Sequence, residues 1–175
     1  MKAAVTGGAG FIGSHLVDNL ISAGHEVVVV DNLATGRLAN LGAHASNPRF
    51  TMHVHDISAL DEQVALQGIF EDVDWVFPLA ALADIVPSIQ HPMAYHRANV
   101  DGTVAVLEAA RNANVKRLVY AASSSCYGIP DVVPTPESAP LRPQYPYALS
   151  KYVGEQYVQH WGQTYRMPAV SLRFF

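Results

Sequence analysis

The feature that most constrains this chain is a glycine loop set between a strand and a helix. Lys2 to Thr6 is a short apolar run. It passes directly into Thr6-Gly7-Gly8-Ala9-Gly10-Phe11-Ile12-Gly13. Phe11 to Ala23 then has helical spacing, with Ile12, Leu16, Leu20 and Ala23 on one side, and Gly24 stands where a helix end favours glycine. Glycines at 7, 10 and 13 permit a tight turn and a close backbone approach to a bound group. They also aim a helix N-terminus at an anion such as a pyrophosphate.

The remaining chain repeats the alternation. Glu26 to Val30 is nearly continuous valine, which suits a strand buried on both faces. Arg49–Val54, Asp74–Pro78, Lys116–Ala121 and Ala169–Phe174 read as four further strands. Ser58 is expected to cap a helix, with Asp61 as its capping-box partner. One long helix is expected over 92–112, and another from Pro146, a favourable first helical residue, to Tyr165. Gly128 to Pro146 carries six prolines and reads as a functional loop. This order implies an α/β doubly wound parallel sheet, a Rossmann fold of about six strands with helices on both faces. Ligands of such sheets sit beyond the carboxyl ends of the strands.

Composition narrows the chemistry. At 175 residues, 50% hydrophobic and 15% charged, the chain is long and apolar enough for one well-formed domain. A net charge of −4 argues against binding nucleic acid by phosphate neutralisation. Cys126 is the only cysteine, so neither an internal disulfide nor a thiolate zinc cage can form. His53 and His55 alternate on a strand without an identifiable third metal ligand. No apolar run approaches the roughly 18 residues of a membrane span. A cytoplasmic protein with no membrane partner is expected.

Asp31 closes the second strand, about 20 residues after the glycine loop, where a carboxylate can accept both ribose hydroxyls of an adenosine. It would repel a 2′-phosphate. The next residue is Asn32 rather than an arginine, and Arg37 is the nearest cation. NAD is therefore expected in preference to NADP.

Seven segments now stand in order: TGGAGFIG, DN at 31–32, DI at 56–57, LAA at 79–81, NVDGT at 99–103, SSSCYG at 123–128 and YALSK at 147–151. Together they resemble the extended short-chain dehydrogenase/reductase family, and within it the UDP-glucose 4-epimerase-like (NAD-dependent epimerase/dehydratase) enzymes, in their N-terminal part. The resemblance implies that Gly7, Gly10, Phe11, Ile12, Gly13, Asp31 and Asn32 bind the cofactor. It implies that Asp56 and Ile57 flank the adenine, and that Leu79, Ala80 and Ala81 line the cofactor near its diphosphate and ribose. Asn99, a buried asparagine beside the site, and Tyr147 would also bind the cofactor. Tyr147 would be the catalytic acid–base, Lys151 its partner and a ligand of the nicotinamide ribose, and Ser123 the catalytic serine, with Ser124 as the fallback. A UDP-sugar substrate and a homodimer through helices 92–112 and 146–165 follow from the same resemblance.

The tyrosine–lysine pair also makes physical sense. Residues four apart share one helix face. A free tyrosine titrates near pH 10 and is a poor base at neutrality. A cation about 4 Å away, at an effective dielectric of ~20, contributes roughly 4 kcal/mol and favours the phenolate. Desolvation opposes that shift.

The surroundings of Ser123 exclude some relatives' chemistry. Dehydratases of the resembled family carry an acidic pair directly after this position, and sugar-acid decarboxylases a glutamate. Ser124 and Ser125 can do no carboxylate chemistry. GDP-fucose synthase-like epimerase-reductases of the resembled family carry a cysteine two residues before the corresponding tyrosine, whereas Cys126 lies one before Tyr127 and reads as a small core residue. Simple 4-epimerisation or oxidation of a nucleotide sugar remains. Tyr152, Tyr157, Trp161 and Tyr165 read as a core or subunit-contact stripe. Two departures stand out. Pro78 replaces a histidine before LAA and, lacking an N–H, is expected to disturb the cofactor rim. The family's smaller C-terminal substrate-binding domain is absent after Phe175, which makes residues 1–175 the expected NAD-binding domain. A stand-alone NAD-binding module or a remnant without turnover is the competing reading.

Overall fold

The computed structural model describes residues 1–59 and 63–175. Six strands form one parallel sheet: β1 (Lys2–Thr6), β2 (Glu26–Asp31), β3 (Phe50–Val54), β4 (Trp75–Pro78), β5 (Arg117–Ser123) and β6 (Ala169–Phe174). Their order is β3-β2-β1-β4-β5-β6. The chain builds outward from β1 to β3, returns through a helix to β4 on the other side of β1, and builds outward again. The reversal lies between β1 and β4, which are aligned from Ala3↔Trp75 to Thr6↔Pro78. A crevice is expected at that point of a doubly wound sheet.

Burial explains the valine run. Val27 and Val29 enter a core against α1 (Phe11–Ser22), together with Ala3, Val5, Val17 and Leu20. Val30 and Ala4 enter a second core on the opposite face with Leu66, Phe70, Val106 and Leu118. That core is covered by α2 (Gln63–Ile69), α5 (Gly102–Asn112) and α6 (Pro146–Thr164). Strands with both faces covered have no polar side to alternate with.

Several expectations need adjustment. The stretch expected as one helix over 92–112 is divided: α4 (Pro92–His96) runs into a π-helical turn, Arg97–Asp101, and then into α5. The sequence reading placed no helix where α3 (Ile85–Gln90) lies. Ser123 was expected just past the fifth strand but is its last residue, because pairing with β6 continues to Ser123↔Phe174. Ser58 lies in a turn in which its N–H and hydroxyl both donate to Asp56, at 2.9 and 2.7 Å. Its expected partner Asp61 lies outside the described residues. The segment before α6 carries no strand or helix, and Pro146 occupies the first turn of α6 with Tyr145 as N-cap.

Pro78 removes a donor from one side of β4 only. The Leu79 N–H still donates to the Thr6 carbonyl at 3.0 Å, so the β1 side is intact. Alternate residues of a central parallel strand bond alternate neighbours, so the donor missing at Pro78 faces β5. Pairing of β4 with β5 accordingly ends at Val76↔Leu118, although β5 runs on to Ser123. No helix among the described residues is long and apolar enough to cross a membrane.

Candidate active site

A cleft of about 420 Å³ opens beyond the carboxyl ends of the strands. Gly7, Gly10, Phe11, Ile12, Gly13, Asp31, Asn32, Asp56, Ile57, Leu79, Ala80, Ala81, Ser123, Tyr147 and Lys151 all line it. Of the residues singled out from sequence, Asn99 does not, and neither does the fallback Ser124. The cleft also takes in Thr35, His55, Leu82, Ala83 and Phe174, which belong to none of the motifs. Most of these follow a strand end, and that rule alone could have found them.

The floor is made of backbone. Gly7 has φ +71°, and a Cβ there would stand 2.6 Å from the Ala80 nitrogen. A Cβ on Gly13 would lie 2.2 Å from the Gly7 carbonyl oxygen. The turn therefore closes only with hydrogens at both positions. The Gly7 N–H donates to the Val30 carbonyl and the Gly10 N–H to the Gly7 carbonyl. Helix α1 has no side-chain cap at Gly10 and no acidic residue in its first turn. Its first N–H groups face the cleft with the positive end of the helix dipole, which is what a diphosphate requires.

Asp31 is the carboxylate beside this floor. It is 7% exposed and accepts from the Ala9 N–H at 3.0 Å and the Leu33 N–H at 2.8 Å. A carboxylate has about four acceptor sites, so two remain for a pair of hydroxyls. Across the cleft mouth, the Asn32 amide donates to Asp56 at 3.0 Å. Burial alone would raise the Asp56 pKa. The Ser58 N–H and hydroxyl and the Asn32 amide outweigh it and hold the carboxyl below its ordinary value. Two acceptor groups, an uncapped helix terminus and an apolar wall fit a dinucleotide such as NAD. Among the described residues no cluster of His, Cys, Asp and Glu is arranged to hold a metal ion.

The opposite wall carries Ser123, Tyr147 and Lys151. Lys151 is 6% exposed, and its ammonium lies 4.4 Å from the centre of the Tyr120 ring. Burial pushes the Tyr120 phenol up to about 12, so that ring stays neutral beside the cation. Burial also brings Lys151 down from 10.5 to about 8, against the opposing pull of Tyr147 and Glu155. It remains mainly protonated at pH 7. Tyr147 is packed edge-on by Tyr95, with ring centres 6.4 Å apart. The Tyr95 hydroxyl donates to the Ala83 carbonyl on the cleft rim.

Asn99 stands behind this wall. Its carbonyl accepts from the Leu82 N–H at 2.8 Å, and its amide donates to the Leu82 carbonyl at 3.0 Å and the Ser150 hydroxyl at 2.9 Å. Ser150 in turn donates to the Tyr147 carbonyl at 2.8 Å. One buried amide thus ties the loop after β4 to the first turn of α6. Nothing in the sequence signalled that Tyr95 and Ser150 support Tyr147. Cys126 is buried, and burial raises its thiol above the ordinary value, which keeps it unreactive.

Comparison with known proteins agrees with this geometry. The NAD dependent epimerase/dehydratase family profile matches residues 3–175. A UDP-glucose 4-epimerase of Streptomyces lividans is 38% identical over 177 residues, covering 99% of this chain and 51% of that protein. Among solved structures, a UDP-N-acetylglucosamine 4-epimerase from Methanobrevibacter ruminantium, in complex with UDP-N-acetylmuramic acid, superposes with a TM-score of 0.92. It is 36% identical and covers 99% of this chain and 54% of its own. A dTDP-glucose 4,6-dehydratase from Streptomyces venezuelae, with NAD bound, also gives 0.92 at 33% identity, covering 99% and 55%. The chain spans about half the length of the curated relatives it matches.

Proposed function

Because the chain belongs to the NAD dependent epimerase/dehydratase family, we propose that it is the NAD-binding and catalytic part of a nucleotide-sugar 4-epimerase acting on a UDP-hexose or UDP-N-acetylhexosamine. The observation that carries this reading is the convergence of Ser123, Tyr147 and Lys151 in one cleft with the glycine floor and Asp31. The serines after Ser123 disfavour the dehydratase alternative, since neither can remove a carbon-bound proton as a carboxylate does.

The first-turn N–H groups of α1 would hold the diphosphate. Asp31 would take the adenosine ribose hydroxyls, and Asp56 and Ile57 would flank the adenine. When bound, NAD supplies the acceptor and donor of hydride. Tyr147 takes the proton from the sugar's C4 hydroxyl as that carbon is oxidised, and gives it back after the sugar has turned over in the cleft. Lys151, a buried cation, stabilises the phenolate and binds the nicotinamide ribose. Ser123 hydrogen-bonds the reacting oxygen. Asn99 holds the wall that carries Tyr147. The second reading is NAD binding without turnover. A homodimer through 92–112 and 146–165 is supported by exposed Met93, Leu149, Tyr157 and Tyr165.

Incubation with UDP-galactose and UDP-N-acetylgalactosamine, with product analysis and calorimetry for NAD, tests both readings. Conversion that Tyr147→Phe lowers by about 10²–10⁴-fold, with NAD affinity kept, is the expected result. NAD binding without conversion favours the second reading, and failure to bind NAD overturns both.

A further inference from the structure

Ser123 is held in an arrangement that fixes more than its position. It closes β5 and N-caps the short 3-10 turn Ser124–Tyr127, its Oγ accepting from the Ser125 N–H at 3.2 Å. The Ser125 Oγ lies 2.7 Å from the Ser123 Oγ. Ser123 lines the cleft, whereas Ser125 does not.

A hydroxyl has one proton and two lone pairs. One lone pair of Ser123 is taken by the Ser125 N–H, so the direction of the Oγ–Oγ bond decides what is left. If Ser123 donates to Ser125, Ser123 turns only a lone pair to the cleft. If Ser125 donates, both lone pairs of Ser123 are occupied and its proton must point into the cleft. Among the described residues Ser123 is the only hydrogen-bond partner of the Ser125 Oγ. In the first arrangement the proton of the part-buried Ser125 has no protein acceptor among the described residues. In the second the Ser125 proton has an acceptor, and the Ser123 proton meets water or substrate in the cleft.

We propose that Ser125 is a positioning residue: by donating its hydroxyl to the Ser123 Oγ it sets Ser123 as a donor toward the sugar oxygen. The choice matters to the reaction proposed above, on which this role rests. An alcohol oxygen can meet either polarity, but the oxygen of a C4 ketone can only accept. A Ser123 locked as donor keeps its hydrogen bond as the alcohol oxygen becomes a ketone oxygen, whereas a Ser123 presenting a lone pair would lose it on the way to the transition state.

Two measurements test this. Neutron diffraction from crystals of the deuterated chain needs no turnover, so it reads the hydrogen-bond direction even where the epimerase reading fails. A deuteron on the Ser125 Oγ directed at Ser123, with the Ser123 deuteron turned to the cleft, is expected; the reverse arrangement overturns the proposal. Where conversion of UDP-galactose is observed, a double-mutant cycle reads the consequence. Ser125→Ala should lower kcat about tenfold with KM changed less than about twofold, as for a weakened oxyanion donor. Ser125→Thr should restore it, and Ser125→Ala should add no loss in a Ser123→Ala background. Additive losses, or a wild-type kcat in Ser125→Ala, overturn the role assigned to Ser125. Tyr147→Phe run in parallel reports separately on the epimerase reading.

Discussion

The two halves of the sheet build their sides of the cleft in different ways. The β3-β2-β1 half uses backbone: a glycine turn, a helix terminus without a cap, and one carboxylate held by two main-chain N–H groups. The β4-β5-β6 half uses side chains drawn from distant segments. Ser123 comes from β5, Tyr147 and Lys151 come from α6, and Asn99 from the π turn braces them. A backbone site tolerates no added atom but little depends on which side chains stand nearby. A side-chain site tolerates local change but depends on burial and on partners.

The largest test of this contrast is Gly13→Ala. The new methyl would meet the Gly7 carbonyl oxygen at 2.2 Å and the Gly8 Cα at 2.7 Å. Overpacking against backbone should cost about 3 kcal/mol or more, read as a lowered midpoint in urea, with NAD binding lost. A stable variant that still binds NAD would show that the turn can relax, and would break the distinction.

Lys151→Met probes the other half through pH. The lysine titrates at 10.5 when free and at about 8 when folded. Below pH 8 both states hold the proton, and the unfavourable burial of the charge is fully present. Between 8 and 10.5 the unfolded state keeps a proton that the folded state has lost, so stability rises with pH. The rise should approach about 3 kcal/mol over that window. Denaturation at several pH values should show it in the wild type and not in Lys151→Met; parallel curves would mean that Lys151 titrates as if exposed.

Asp31→Asn is the mildest change. It keeps the shape but replaces half of the acceptor capacity with an N–H₂ group. NAD affinity should fall about tenfold, near 1.4 kcal/mol, and preference over NADP should narrow. Calorimetry with both dinucleotides decides this, and an unchanged ratio would remove Asp31 from cofactor selection.

Legibility in the sequence followed the same division. Gly7, Gly10, Gly13 and Asp31 were readable because spacing along one strand–turn–helix unit fixes their geometry. The Tyr147–Lys151 pair was readable as neighbours on a helix, and Pro146 as the start of that helix. Tyr95 against Tyr147, the Asn99–Ser150 link and the π turn left no periodic mark, since each depends on where separate segments meet. Which strand loses a hydrogen bond at Pro78 left no mark either, because it depends on which strand lies on that side.

Local order determined the parallel sheet, the glycine floor and the residue types able to hold a dinucleotide, because steric and hydrogen-bonding rules act within a few residues. Only the folded arrangement decided that Lys151 is buried over Tyr120, that Ser123 rather than Ser124 faces the cleft, and that Asn99 stands behind it. Burial and side-chain hydrogen bonding are set by atoms far apart in the chain, and no pattern along the sequence encodes them.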